Sequence, residues 1–284
     1  MGRINGCKCV VGTDLDYTKI TFDHSLGGLN QARVVASVTG GSPESIQKEL
    51  EAIGKQLIIK NTHFIQRVEA AFDAHVSSVG ERLEERLWST AARILVYLAE
   101  AGHDPARYYA KAVEAEAGFW GGVSQLSKLY DDAVEFRETL RLLGLPVFAL
   151  TSSDARTQLV RDASGAEQIR YEVEHSIRLK HLRLKPSGIF DLISPEDVVV
   201  SDPWPKEDLR VWKARVFPRY PDRPDREHWV FLGDTSYDMH AALVAGIGTR
   251  IYIERHLNAK RPSEATHVVS SLAEAGALIE ELVR

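Results

Sequence analysis

Acidic and hydroxyl side chains follow three short apolar runs of this sequence. The run 7–12 leads into segment 14–18, DLDYT, and the run 229–232 leads into segment 233–238, GDTSYD. The run 147–150 ends in a Thr-Ser pair at 151–152. Carboxylates that meet in one place repel each other unless a cation lies among them, and hard oxygen ligands suit Mg²⁺. The three segments therefore predict a magnesium site, flanked by hydroxyl groups, if the fold brings them together.

The apolar runs themselves are typical of buried strands in a parallel sheet. Further runs of this kind occupy 198–200, 250–253 and 267–269, and helical patterns at 237–245 and 272–283 lie among the later ones. Alternation of strand and helix predicts an α/β, Rossmann-like parallel sheet with helices on both faces. Ligands in such sheets bind beyond the carboxyl ends of the strands. We therefore expect the three polar segments at one edge of one sheet.

A long helical block separates the first strand from the others. Ser42 and Pro43 have the pattern of an N-cap followed by proline at the first helical position, and few helix breakers occur before Gly102. The block shows no strand signal. We predict an inserted all-helical domain over residues 20–130 and a core domain formed by 1–19 and 131–284. A further helix is expected after Ser153 and Asp154, either of which could cap it.

Taken in this order, the three segments resemble the motifs of the haloacid dehalogenase-like (HAD) superfamily. The first motif, Asp-x-Asp-x-Thr, matches Asp14, Asp16 and Thr18, and the fourth, Gly-Asp-x-x-x-Asp, matches Asp234 and Asp238. The second motif, a Ser or Thr at a strand end, matches residue 151. The resemblance covers the N-terminal strand and everything from residue 129 onward. It implies a HAD-like core with a helical cap domain inserted between the first and second motifs.

The resemblance also implies roles for these residues. Asp14 is expected to attack phosphorus, while Asp16 protonates the leaving oxygen and later deprotonates the attacking water. Thr151, Ser152 and Thr18 are expected to bind the phosphate. Mg²⁺ is expected to be held by Asp14, by the backbone carbonyl of Asp16 and by Asp234, with Asp238 supporting it. Because dehalogenating members lack the second aspartate, Asp16 favours phosphoryl chemistry.

The lysine of the third motif is where the sequence departs from the family. Many members have Lys-Pro-x-Pro, whereas segment 201–206 reads SDPWPK and has Asp202 at the position of that lysine. We interpret Lys206 as the catalytic lysine, because apolar residues follow it at the offsets seen in the family's helix. Lys213 is the alternative.

The combined interpretation is a Mg²⁺-dependent phosphatase. A cap that closes over the site favours a small phosphorylated metabolite, and the hydrolysis of this phosphomonoester is expected to pass through an aspartyl-phosphate. The displaced lysine motivates one alternative, a catalytically weak relative that binds a phosphorylated ligand or partner. A receiver-type signalling domain also clusters aspartates, a threonine and a lysine, but it has no long helical block after its first strand.

Bulk properties exclude other classes of protein. The formal net charge is -5 and no run of about 18 apolar residues occurs, so we expect neither a nucleic-acid nor a membrane partner. We expect a cytoplasmic monomer or homodimer. Cys7 and Cys9 lie at i, i+2 in a predicted strand and point to opposite faces, which suits neither a disulfide nor a shared metal. The basic segment 178–185 predicts a half-exposed strand or solvated helix face, with anion binding as the alternative.

Overall fold

A six-stranded parallel sheet forms the core of the protein. The computed structural model describes residues 8–58, 62–78, 90–154, 156–201, 213–255 and 260–284. In chain order the described strands are β1 (Val11–Thr13), β2 (Ile20–Thr21), β3 (Val76–Ser78), β4 (Lys128–Leu129), β5 (Val147–Ser152), β6 (Thr157–Arg161), β7 (Glu167–Tyr171), β8 (Val198–Ser201), β9 (Val230–Gly233), β10 (Thr249–Ile253) and β11 (His267–Val269). The core sheet has the order β11-β10-β9-β1-β5-β8, and each neighbouring pair is parallel. The predicted α/β core is confirmed.

The register of the sheet brings the polar segments to one edge. In the central strand β1, Thr13 is paired with Ala149 of β5 and with Leu232 of β9. The residues that follow these three positions therefore leave the sheet on the same side. A Cβ atom on Gly12 would lie 2.3 Å from the Phe148 ring, so glycine in β1 lets aromatic rings cover the middle of the sheet.

Helices cover both faces of the sheet. The described helices are α1 (Ser25–Thr39), α2 (Pro43–Ile58), α3 (Thr62–His75), α4 (Thr90–Glu100), α5 (Tyr109–Leu126), α6 (Ala133–Leu142), α7 (Val173–Leu184), α8 (Ser236–Val244) and α9 (Leu272–Val283). One apolar layer joins Phe136 of α6 and Ile279 of α9 to the sheet, and another joins Met239 of α8 to Phe148 and Trp229. The predicted helix at 272–283 agrees with α9, and the one at 237–245 agrees with α8 to within one residue.

The helices α1 to α5 form a second apolar cluster of their own. Val35, Leu50, Val68 and Leu95 are among its buried members. The two short strands β2 and β4 pair antiparallel, with Ile20 opposite Leu129, so the chain enters and leaves the helical block side by side. Within the described residues no helix is long and apolar enough to cross a membrane.

The prediction that residues 20–130 are all-helical is wrong at three short strands, β2, β3 and β4. Strand β3 pairs in parallel with β7, which in turn forms an antiparallel hairpin with β6. The helix predicted after Asp154 is therefore replaced by this hairpin, whose turn places Gly165 at a φ of 85°. Ile169 and Tyr171 of β7 belong to the apolar cluster of the helical block. The β6–β7 hairpin thus packs with the block although it follows β5 in the chain.

The basic segment 178–185 lies mostly in α7, so the strand interpretation is wrong. Arg178 is exposed, as expected of a solvated helix face, but Lys180 and Arg183 are buried on the other side of the helix. Cys9 has no metal or disulfide partner among the described residues. Burial raises the pKa of the Cys9 thiol to about 12, which keeps it protonated and unreactive, and Cys7 lies outside the described residues.

Candidate active site at the carboxyl edge of the sheet

Three of the predicted carboxylates meet at the edge of the sheet. Asp14, Asp234 and Asp238 each offer an oxygen atom within 4.8 Å of the others, and all three side chains are buried. The backbone N–H of Asp14 donates to the carbonyl of Leu232, with an N···O distance of 2.8 Å, which ties the end of β1 to the end of β9. The parallel topology therefore brings together residues from the two ends of the chain.

Lys213 is the cation that contacts this cluster. Its Nζ atom lies 2.7 Å from Oδ1 of Asp14 and 2.5 Å from Oδ1 of Asp238. Burial by itself would lower the pKa of Lys213, but the two carboxylates together raise it above its ordinary value. The structure thus brings the alternative lysine to the proposed nucleophile. Lys206, the candidate favoured by the sequence, lies outside the described residues.

Asp234 and Asp238 are oriented by hydroxyl groups. Thr18 donates to Oδ1 of Asp234 over 3.0 Å. The hydroxyl that was predicted to bind phosphate is thus hydrogen-bonded to a carboxylate. Thr235 caps α8 and donates through both its amide and its hydroxyl to Oδ2 of Asp238. A Cβ atom on Gly233 would lie 2.5 Å from that of Asp238, so only glycine lets the strand end approach the helix this closely.

The electrostatics of Asp14 fit a divalent cation. Burial is the largest effect and raises the pKa of Asp14 well above its ordinary value, and the carboxylates of Asp238, Asp234 and Asp16 raise it further. Among the described residues, Lys213 opposes them and lowers the pKa of Asp14. A nucleophilic carboxylate must be ionised, and three carboxylates beside one ammonium leave an excess of negative charge. Buried oxygen donors of this kind suit Mg²⁺, so the residues present fit the predicted ion.

Asp16 lies outside this carboxylate cluster and has cationic partners of its own. Its Oδ2 atom accepts from Nζ of Lys180 over 2.6 Å and from Nη2 of Arg183 over 3.4 Å. No described residue donates to its Oδ1 atom, which is buried. Tyr17, the next residue, has a φ of 56°, a left-handed conformation that turns the chain sharply after Asp16.

A second buried carboxylate, Asp154, completes this network. It accepts from Nε of Arg183 and from Lys180, whose Nζ lies 3.2 Å from Oδ1. Burial by itself would raise the pKa of Asp154, but Arg183, Lys180 and Arg156 together hold it well below its usual range. Lys180 and Arg183 therefore each contact two carboxylates, that of Asp16 after the end of β1 and that of Asp154 just after β5.

The predicted phosphate ligands of β5 lie at the same edge. The Thr151 side chain is fully buried, and its hydroxyl has no hydrogen-bond partner within the described part of the chain. Its carbonyl accepts from the hydroxyl of Ser201 on β8. Ser152 is half-buried at the last position of β5. An unsatisfied buried hydroxyl is rare in proteins and is expected where a ligand supplies the missing partner.

Sequence reasoning missed Lys180, Arg183 and Asp154. The sequence did carry one signal, because Lys180 and Arg183 are spaced i, i+3 and so share one face of a helix. Alternating basic and apolar residues nevertheless favour an exposed element, and the partner Asp16 lies far away in the chain. Asp154 was interpreted only as a helix cap.

Comparisons with known proteins support the fold. No family model and no curated protein sequence matches this chain. The structure is similar to that of YfnB from Bacillus subtilis, described as a HAD hydrolase bound to magnesium, with 18% identity and a TM-score of 0.58 over 98% of this chain and 99% of that one. It is also similar to a protein from Thermotoga maritima described as a β-phosphoglucomutase, with 16% identity and a TM-score of 0.52 over 96% and 98% of the two chains.

A 2-haloacid dehalogenase from Pseudomonas syringae gives a similar result, with 15% identity and a TM-score of 0.51 over 96% of this chain and 98% of that one. At such identities the similarity concerns the fold. The resemblance found in the motifs and the architecture of the sheet agree with it. The chain has the fold of the haloacid dehalogenase-like hydrolases.

Proposed function

We propose that the protein is a Mg²⁺-dependent phosphatase that hydrolyses a small phosphorylated metabolite, a phosphomonoester, through a phosphorylated Asp14. The observation that carries this proposal is the contact of Lys213 with both Asp14 and Asp238 inside a buried carboxylate cluster. A fixed ammonium beside a nucleophilic carboxylate is what attack on a phosphate dianion requires. The fold shared with YfnB, whose structure holds magnesium, supports the same chemistry.

In this proposal Asp14 is the nucleophile. Asp14, Asp234 and the backbone carbonyl of Asp16, supported by Asp238, would hold Mg²⁺, and the ion would supply positive charge that neutralises the phosphoryl oxygens. Lys213 donates two of its three N–H groups to Asp14 and Asp238. The third has no acceptor among the described residues and can donate to a phosphoryl oxygen, so one side chain can hold both the nucleophile and its target.

Asp16 is the general acid and base of the proposal. Lys180 and Arg183 hold one of its oxygens, and the other, Oδ1, has no donor among the described residues. This oxygen gives a proton to the leaving alcohol in the first step and takes one from water in the second. The buried hydroxyl of Thr151 and the amides around Ser152 bind the phosphoryl oxygens.

The observation that motivated the alternative, a protein that binds a phosphorylated ligand without turnover, no longer applies. That alternative was based on the absence of a lysine from the third motif, and Lys213 supplies an ammonium in contact with Asp14. We therefore argue for the enzyme, with the helical block as a cap over a small substrate.

The experiment is phosphate release from 4-nitrophenyl phosphate and a panel of phosphorylated metabolites, with Mg²⁺ and with excess EDTA. Asp14→Asn should lower kcat by more than a thousandfold, because the amide is a poor nucleophile. Asp131→Asn, which changes an exposed aspartate, is the matched control and should retain wild-type turnover. Mass spectrometry of acid-quenched enzyme should show a phosphoryl adduct on Asp14. Turnover that survives EDTA or Asp14→Asn contradicts the proposal.

A further inference from the structure

A cluster of buried hydrogen-bond donors lies beside Asp16, and the proposed mechanism uses only one of its members, Arg183, which holds an oxygen of Asp16. Its members are Arg93 of α4, Trp120 of α5, Arg156, which directly precedes β6, and Arg183 of α7. We call this cluster the arginine pocket. The guanidinium carbons of Arg156 and Arg183 lie 5.2 Å and 5.6 Å from the centroid of the Trp120 ring. The Arg93 guanidinium lies 5.9 Å from the Phe119 ring, whose centroid is 5.0 Å from that of Trp120. The helical block and α7 thus face each other across one aromatic ring.

Several donors in the arginine pocket lack a partner. Nε of Arg93, Nε1 of Trp120, Nε and Nη2 of Arg156 and Nη1 of Arg183 are buried, and none donates a hydrogen bond to any described residue. Nη2 of Arg156 is 3.5 Å from Asp154, an ion-pair distance. A buried donor left unpaired costs about 1–3 kcal/mol. Five such donors in one place are expected where a group rich in acceptor oxygens supplies their partners.

The charges around the pocket also leave room for an anion. Lys180, Arg156 and Arg183 are three cations, whereas Asp16 and Asp154 supply two carboxylates. All these side chains except Asp16 are at most 10% exposed, so water screens them poorly. One positive charge is therefore in excess in a buried place, where charges are normally paired.

The surroundings of the pocket do not remove this excess. Arg93 adds a cation and Glu116 an anion, and the Glu116 carboxylate already accepts from the amide and the hydroxyl of Thr157. His24 lies close to Arg93 and Arg183, and burial, with help from these two cations, lowers its pKa. It is therefore neutral at physiological pH and adds no charge.

We propose that the arginine pocket binds a second anionic group of the substrate, a carboxylate or a phosphoryl group carried by the leaving alcohol. This inference rests on the proposed function, because it places the group relative to the acid Asp16. Nη2 of Arg183 is 3.4 Å from Oδ2 of Asp16, while Nη1 of the same guanidinium is unpaired within the described residues. The second anion therefore lies only a few bonds from the ester oxygen that Asp16 protonates. Planar guanidinium groups suit the paired oxygens of both candidate groups.

The test compares small phosphomonoesters that differ only in this second charge. The charged members are the phosphate esters of glycolate, 3-hydroxypropanoate and 4-hydroxybutanoate, and the bisphosphates of the diols with the same chain lengths. The neutral reference for each is the monophosphate of the diol. We expect kcat/KM to be at least tenfold higher for one charged series than for its reference. The series that shows the preference identifies the group as carboxylate or phosphoryl.

Two variants assign the preference to the arginine pocket. Arg156→Gln removes a cation and should lower the ratio of charged to neutral kcat/KM at least fivefold. Trp120→Phe keeps the ring, loses only the unpaired N–H and should lower the ratio about twofold to threefold. Arg178→Gln changes an exposed arginine that contacts His175, and it should leave the ratio unchanged. Circular dichroism and thermal unfolding show whether each variant is folded.

Binding measurements separate this inference from the proposed function. Calorimetry with phosphonoacetate and with neutral 2-hydroxyethylphosphonate, which cannot be hydrolysed, needs no turnover. At least tenfold tighter binding of phosphonoacetate, or of methylenebisphosphonate, supports the inference even if no ester is hydrolysed and the proposed function fails. Hydrolysis of neutral and charged esters at equal kcat/KM, together with equal affinities for charged and neutral phosphonates, overturns the inference while the phosphatase stands.

Discussion

At the scale of single residues, the ammonium group of Lys213 links the proposed nucleophile to the start of α8. Lysine is rarely buried without partners, and this one is 4% exposed with two carboxylates in contact. Asp238 is in turn fixed by Thr235, so the position of Lys213 is set by a chain of hydrogen bonds. This rigidity matters because electrostatic catalysis depends on charges that are already in place before the reaction.

We predict that Lys213→Ala lowers kcat for phosphomonoester hydrolysis by at least a hundredfold, or about 3 kcal/mol of transition-state stabilisation. The loss follows because no other described cation contacts Asp14. Steady-state kinetics at saturating Mg²⁺ measure the effect. Lys185→Ala, at an exposed position, is the control and should change kcat less than about twofold.

Lys206→Ala provides the decisive comparison with the prediction from sequence. If Lys206→Ala costs more in kcat than Lys213→Ala, the third-motif lysine is Lys206 and the contact of Lys213 has only a structural role. Thermal unfolding of both variants is needed, since Lys213→Ala leaves two buried carboxylates without their cation and so also lowers stability.

The sequence predicted the acidic residues of the site better than the basic ones. Asp14, Asp234 and Asp238 follow strands, and the carboxyl ends of parallel strands meet without any knowledge of side-chain packing. The segment at the third motif has two lysines, Lys206 and Lys213, and local spacing favoured Lys206. The partners of Arg183 and Lys180 are set by tertiary packing, which no local pattern contains.

At the scale of elements, the contact between α1 and α5 depends on two glycines. A Cβ atom on Gly122 would lie 2.5 Å from the backbone nitrogen of Gly27, and one on Gly27 would lie 2.5 Å from the carbonyl oxygen of Phe119. The two backbones therefore touch. Trp120, a member of the arginine pocket, is on α5, so this contact also sets the position of the pocket's aromatic ring.

We predict that Gly122→Ala lowers the free energy of unfolding by about 1–3 kcal/mol, because the backbone atoms of Gly27 cannot move aside as a side chain could. Gly121→Ala is a matched control on the same helix. A Cβ atom there meets nothing within 4 Å, so alanine should stabilise the helix by about 0.5–1 kcal/mol. Denaturant unfolding measures both variants. Equal effects of the two substitutions would show that the helices separate easily at this point.

The elements differ in how far the sequence defines them. The helix 272–283 was predicted with its observed bounds from its helical pattern, and in the structure the Ser271 side chain caps its first turn. The β6–β7 hairpin was missed although segment 162–165, DASG, is a turn sequence. Strand β3 has only three residues and pairs with β7 from another part of the chain, so its conformation depends on a distant partner.

At the scale of the whole molecule, the net charge is negative, although cations outnumber carboxylates in the buried cluster that includes Asp16. The formal net charge is -5, yet three cations and two carboxylates are packed together near Asp16. The bulk composition therefore predicted no general affinity for polyanions, but it could not predict this local cluster of cations. The parallel topology, in contrast, was predicted because alternating strands and helices allow few other arrangements.

The buried side chain of Lys19 should affect the free energy of unfolding of the whole protein. Its side chain is fully buried, its Nζ lies 5.2 Å from the centroid of the Phe136 ring, and it has no hydrogen-bond partner in the described part of the chain. Burial, with a smaller effect of the Arg137 charge, lowers the pKa of Lys19 to about 7. In the unfolded chain a lysine has a pKa of about 10.4.

We predict that Lys19→Met stabilises the protein most at low pH. Between pH 7 and pH 10 the unfolded chain holds a proton on Lys19 that the folded chain lacks, so the wild-type free energy of unfolding gains up to about 1.4 kcal/mol per pH unit from this group. Methionine removes that contribution. The stability difference between variant and wild type should be constant below pH 7 and shrink steadily toward pH 10. Urea unfolding at pH 6, 8 and 9.5 measures it, with Lys48→Met at an exposed position as the control. A difference that does not change with pH would mean that Lys19 remains charged in the folded protein.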